Sequence, residues 1–232
     1  MNSPESIDLG LTAETKVVKP RPKRVGFDYT VDTATNTFAL TATERRRDAE
    51  GKWNPEQARS LLQFSVENKI PVVAAEIFNE PTLPVSMPAN YTADDFARDV
   101  ATLQPVVKEV MPKLKLVGPG STAEATPMML SATFSTADAL AKTNKAFDVF
   151  SYHSYPKVSK RCGSTEGPEI ALTQEYLNRV PKDADFYRAA RDAGLPGAPM
   201  WITETAQAAC GGDQWASTYR DVIRYVNTLG RL

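Results

Sequence analysis

One histidine, His153, and two cysteines, Cys162 and Cys210, are all that the 232 residues offer of the usual soft metal ligands. That set matches no zinc spacing, so no metal centre is predicted. A glycine-rich phosphate loop is also missing. The stretch VGPGST at 117–122 has neither the dinucleotide fingerprint nor the lysine of a P-loop, so no nucleotide cofactor is expected. Basic excess is lacking too: 27 Lys and Arg stand against 28 Asp and Glu, for a net charge of −1. Nothing in that balance supports holding a nucleic-acid backbone. No apolar run approaches the roughly 18 residues of a membrane span. The opening MNSPESIDLGLTAETKVVKPRPKR has no apolar core of the kind that marks a signal peptide. A reaction without cofactors, or a binding role, is what these absences leave.

What is present is an ordinary 42% apolar chain, long enough for one α/β domain with a proper core. Residues 1–33 are polar, carry several prolines and show no sustained period, so they read as a poorly structured tail. Residues 34–232 alternate short apolar runs with amphipathic stretches, the pattern of βαβ units. Strands are predicted at 37–43, 72–78, 113–118, 147–156 and 199–205. Helices are predicted after Asn54-Pro55, with Ala58, Leu61, Leu62 and Phe64 inward, and after Thr92, with Phe96, Val100, Leu103 and Val107 inward. Further helices fall in 126–144, at 185–194 and at 213–230, and a long loop spans 157–184.

Two of the strands end on an acid. VVAAEIF, with Glu76 its one polar interruption, stops at Asn79-Glu80-Pro81, because proline cannot donate to a sheet ladder and restricts the residue before it. MWI runs to Glu204 and then into small residues and Gly211-Gly212. A lone strand-end glutamate is as readily a solvated acid or an ion-pair partner. Two of them at the carboxyl ends of parallel strands project into one mouth, where α/β enzymes place their chemistry. Paired carboxylates around one bond are what glycoside hydrolysis requires. Between them lies SYHSYP, in which His153 and Tyr155 alternate to the same side. His153 could equally be a surface loop histidine, and Tyr152 reads as core.

FNEP, SYHSYP and WITETAQAACGG, in this order and spacing, resemble glycoside hydrolase family 79, the heparanase-like and β-glucuronidase-like enzymes. The resemblance covers about 36–232, including the WNPEQA helix start. It implies a (β/α)8 TIM-type barrel, here incomplete, with about strands three to seven present and the C-terminal β-domain absent. It also implies retaining cleavage of β-linked glucuronides: Glu80 as acid/base, Glu204 as nucleophile, and Asn79 bonding the 2-hydroxyl of the sugar. His153 and Tyr155 would stand beside the nucleophile, and Gly211 and Gly212 would face the uronate carboxylate with their amides. The implied partner is a glucuronic-acid-containing carbohydrate, without a cofactor, nucleic acid or transmembrane segment. The alternative is a glycan-binding or scaffold remnant that keeps the acids without catalysis. Cys162 and Cys210 lie in loops leaving the same face of adjacent strands, and a disulfide between them is expected. Such a bond implies an oxidising compartment, hence export of a longer parent protein although this chain shows no signal peptide.

Overall fold

The computed structural model describes residues 29–32, 37–40, 47–48, 50–125 and 132–232, with backbone only for the first two segments. Among the described residues six strands form one sheet in chain order: β1 (Tyr29–Asp32), β2 (Thr37–Leu40), β3 (Ala74–Glu76), β4 (Lys115–Ser121), β5 (Val149–Ser154) and β6 (Met200–Thr205). β2 to β6 pair in parallel, each with the next. These are the five strands expected from the sequence, arranged as a parallel-strand half-barrel. β1 departs from the expectation of a tail, because Tyr29–Asp32 pairs antiparallel with β2. The remainder of that predicted tail, residues 1–28 and 33, lies outside the described residues, as do 41–43 of the first predicted strand and 126–131 of the third predicted helix.

The helices α1 (Glu56–Glu67), α2 (Ala93–Val110), α3 (Thr136–Thr143), α4 (Gln174–Leu177), α5 (Arg179–Gly194) and α6 (Tyr219–Leu229), with 3₁₀ turns at Lys160–Cys162 and Pro168–Ile170, complete the order among the described residues. Thr92 opens α2 with a capping box, its hydroxyl accepting from the Asp95 amide while the Asp95 carboxylate accepts from the Thr92 amide. Ser135 does the same for α3 through Asp138. At α1 the Asn54 side chain accepts the Glu56 amide at 2.9 Å. Ala58 and Leu62 of α1 are buried, whereas Phe64 turns to solvent. α5 begins at Arg179, so the predicted long loop already carries α4 and the first turn of α5. Those residues lack a strong apolar stripe, and their helical state rests on tertiary packing of Tyr176, Val180 and Ala184.

Strand alternation sorts side chains into two layers. Ala75, Ile77, Leu116, Phe150, Tyr152, Met200 and Ile202 face the helices and join Phe96, Val100, Leu103 and Tyr187 in the main core. The other set faces the concave side. Ala74, Val117, Val149 and Trp201 form its apolar floor, and polar residues one step further along the strands stand above that floor. α6 packs with Arg224 and Thr228 inward, while Val222, Ile223, Tyr225 and Val226 are exposed.

Candidate active site

Above the apolar floor lies a buried carboxylate, Glu76. Its Oε1 accepts hydrogen bonds from the hydroxyls of Ser151 (2.5 Å) and Thr203 (2.8 Å), and its Oε2 lies 3.2 Å from Nε2 of His153. Ser151 in turn accepts the Gly120 amide at 3.0 Å. Gly120 has no substitute here: its φ is +71°, and a Cβ would come within 2.9 Å of the Phe78 carbonyl oxygen and 3.0 Å of the Glu76 carboxylate.

One step higher stand the two acids named from the sequence. Glu80 has a φ of 49°, a left-handed backbone unusual for a glutamate before proline. Such a conformation costs about 1–3 kcal/mol and is held only where its surroundings over-determine it. The restraint is visible in the next turn: the Thr82 hydroxyl accepts the Thr122 amide at 3.2 Å, and the Thr82 carbonyl accepts the Thr133 amide at 2.7 Å. The Thr122 hydroxyl donates to the His153 carbonyl at 3.2 Å, which carries the brace across to β5.

Glu204 reaches the same place by a different device. On β6, Trp201 joins the concave floor and Thr203 bonds Glu76, so strict alternation would turn Glu204 toward the helices. The pairing shifts instead: Tyr152 opposes Ile202, and His153 opposes Glu204, leaving Thr203 as the extra residue. A bulge of this kind re-aims the following side chain. Glu204 thereby meets Tyr155, whose hydroxyl donates to Glu204 Oε1. The Thr205 hydroxyl fastens the strand ends by donating to the Ser154 carbonyl at 2.7 Å.

His153 is the hub, and it is fully buried rather than a surface loop residue. Its Nδ1 is 3.2 Å from Glu80 Oε1 and 3.4 Å from Glu204 Oε2. Burial by itself would lower its pKa, but the Glu76 charge, with hydrogen bonds to Glu76 and Glu80 and the Glu204 charge, raises it to about 10. Burial likewise works against the Glu76 carboxylate, yet the His153 charge and its three hydrogen-bond donors hold it below the usual carboxylate range. Tyr155 is raised by burial and by the Glu204 charge, which keeps its hydroxyl a proton donor. One carboxylate oxygen each of Glu80 and Glu204 and a ring nitrogen of His153 all lie within 4.8 Å of one another.

The side chains of Glu80 and Glu204 are 18% and 38% exposed, so both can be reached from outside. Asn79, beside Glu80, has a buried Oδ1 with no partner among the described residues. Next to Glu204 opens a cavity of about 620 Å³ lined by Tyr155, Glu204, Gln207, Gly211 and Gly212. Both glycines have left-handed φ, 78° and 75°.

The rim of this cavity is fastened by the expected disulfide, Cys162–Cys210, with the Cα atoms 6.3 Å apart. Around it the β5–β6 pairing continues outward: Ala209 donates its amide to the Lys157 carbonyl at 2.9 Å, and Ser159 donates to the Ala209 carbonyl at 3.1 Å. The buried Lys157 ammonium contacts Asp213 at 2.9 Å, and Asp213 also accepts the Lys160 amide at 2.8 Å.

The structure thus gathers Glu80, Glu204, His153 and Tyr155 at one point, with Asn79 adjoining Glu80 and the glycine pair beside Glu204. Sequence reasoning assigned no role to Glu76, Ser151 or Thr203. A signal for Glu76 existed, since it is the single acid inside an apolar strand. Ser151 and Thr203 carry none, because serine and threonine are unremarkable in strands.

Fold and site together are a concave parallel-strand half-barrel with two acids at its strand ends. The model of the glycosyl hydrolase family 79 N-terminal domain matches residues 29–230, and the chain belongs to that family. Comparison with curated proteins finds no match. Among solved structures, the family 44 endoglucanase Cel44A from Clostridium thermocellum superposes with a TM-score of 0.51 at 16% identity, covering 84% of this chain and 48% of that one. A family 39 β-xylosidase from Caulobacter crescentus gives a TM-score of 0.52 at 18% identity, with 81% and 40% covered. The chain therefore spans less than half the length of these structures, and the likeness is one of fold.

Proposed function

We propose that this chain carries the catalytic acids of a retaining glycosidase for β-linked glucuronic-acid-containing glycans. The observation behind this reading is the spacing of the acids: a carboxylate oxygen of Glu80 and one of Glu204 lie within 4.8 Å. Retaining enzymes keep their carboxyl groups about 5–5.5 Å apart, whereas inverting ones leave about 6.5–9.5 Å for a water. Glu204 is the nucleophile, oriented by the Tyr155 hydroxyl. Glu80 protonates the leaving oxygen and then activates water. The unpartnered Asn79 Oδ1 is available to accept a sugar hydroxyl. Family membership supports the glucuronide, and the Gly211–Gly212 turn beside Glu204 supplies backbone N–H groups of the kind that hold a carboxylate without an arginine. The disulfide favours an exported parent protein.

The test is hydrolysis of an aryl β-glucuronide followed by proton NMR. Release of the β-anomer first, before mutarotation, is the expected outcome. First release of the α-anomer would refute retention. Binding of glucuronide oligosaccharides without turnover would instead make the chain a glycan-binding domain.

A further inference from the structure

We propose that Glu76 is a positioning residue that holds His153 as a cation, so that one Nδ1–H serves whichever of Glu80 and Glu204 carries the negative charge at each stage. This rests on the retaining reading above and deepens it.

The geometry is specific. Glu76 is fixed by donors from two neighbouring strands, Ser151 on β5 and Thr203 on β6, and its remaining oxygen meets His153 Nε2. A proton on that nitrogen leaves Nδ1 facing the two acids. Nδ1 stands nearly midway between them, 3.2 Å from Glu80 and 3.4 Å from Glu204. The titratable groups facing the ring are Glu76 and Glu80 from β3 and the turn after it, and Glu204 from β6, with Tyr155 beyond Glu204.

The proton and charge balance closes without any change at His153. Before reaction Glu80 holds a proton and Glu204 is anionic, so Nδ1–H donates toward Glu204. In the first step Glu204 forms a bond to the anomeric carbon, the glycosidic C–O bond breaks, and the leaving oxygen takes the Glu80 proton. Glu80 is then the anion, and Nδ1–H donates to it. In the second step Glu80 takes a proton from water, the water oxygen bonds the anomeric carbon, and Glu204 leaves as carboxylate. With Glu76 anionic and His153 cationic, the cluster carries one net negative charge before, between and after the two steps. A neutral histidine would present a lone pair or a misplaced proton to one of the two anions.

Because the chain has a single histidine, NMR of its imidazole nitrogens reports this site alone. In the wild-type chain both ring nitrogens should remain protonated at about pH 8, well above the ordinary histidine range. Glu76→Gln should lower the midpoint, since the charge and hydrogen bond of Glu76 are lost while the burial remains, and Ser151→Ala should shift it in the same direction by less. With an aryl β-glucuronide, the activity of Glu76→Gln relative to the wild type at the same pH should fall by about tenfold per pH unit above the variant's histidine midpoint. A wild-type histidine that titrates near neutrality overturns the proposal and needs no variant to show it. So does a Glu76→Gln variant whose histidine midpoint and pH profile match the wild type. An inactive wild-type chain whose histidine stays protonated supports the Glu76–His153 pair and counts against the proposed substrate instead.

Discussion

At the scale of single residues, the site separates three glutamates by environment. Glu76 is buried, anionic and saturated with donors; Glu80 and Glu204 stand above it with access to the outside. The division of labour between the last two is open to test in an active form of the protein. Glu204→Gln should abolish turnover on every substrate, because no covalent intermediate can form. Glu80→Gln should cost about 10²–10⁴-fold on poor leaving groups and far less on activated aryl substrates, which need little protonation. Steady-state rates on a paired series of leaving groups check this. Equal losses for both variants across the series would overturn this division of labour.

At the scale of elements, two irregularities create the site from regular strands. The β6 bulge at Thr203 brings consecutive residues, Thr203 and Glu204, to the concave face. The β4 irregularity between Pro119 and Ser121 places Gly120 against Glu76. Gly120→Ala should therefore destabilise the fold by about 1–3 kcal/mol from overpacking, with further cost from the left-handed backbone. A lower midpoint in urea unfolding at unchanged slope would register it. The disulfide works one level further out, on the loops. It closes a loop of 48 residues, which on the chain-entropy model stabilises by about 4 kcal/mol. Replacing Cys162 and Cys210 together by serine should lower the thermal midpoint and loosen the cavity rim around Gly211. Hydrogen exchange at the 157–164 and 207–213 amides would show the second effect, and unchanged exchange there would rule it out.

At the scale of the whole molecule, the buried Glu76–His153 pair ties stability to pH. The folded-state pKa of His153 is raised from 6.5 to about 10, so its contribution is complete below about 6.5 and fades as pH rises toward 10. Glu76 is shifted the other way, below its ordinary 4.5, so its contribution is complete above that value and is lost as pH falls further. Both contributions are full only between these limits. Chemical-denaturation midpoints across the pH range should peak there and decline on the alkaline side from about 6.5 onward. A profile that stays flat up to pH 9 would mean that His153 is not held as a cation.

The sequence alone determined the five parallel strands, the two acids and the disulfide partners. Strand periodicity, proline breaks and strand-end polarity are local signals, and they are written in runs such as VVAAEIFNEP and MWITET. Family resemblance added roles for Asn79, His153 and Tyr155, whose neighbours in the chain say little of their neighbours in space. What only the tertiary structure decided is the layer beneath: Glu76 under His153, with Ser151 and Thr203 completing its bonds. These residues come from three strands and meet through pairing register and a one-residue bulge, neither of which local propensity encodes. The pairing of Tyr29–Asp32 with β2 and the helical state of 179–184 were likewise decided by tertiary packing. In each case the local preference is weak, and long-range pairing and burial select the conformation.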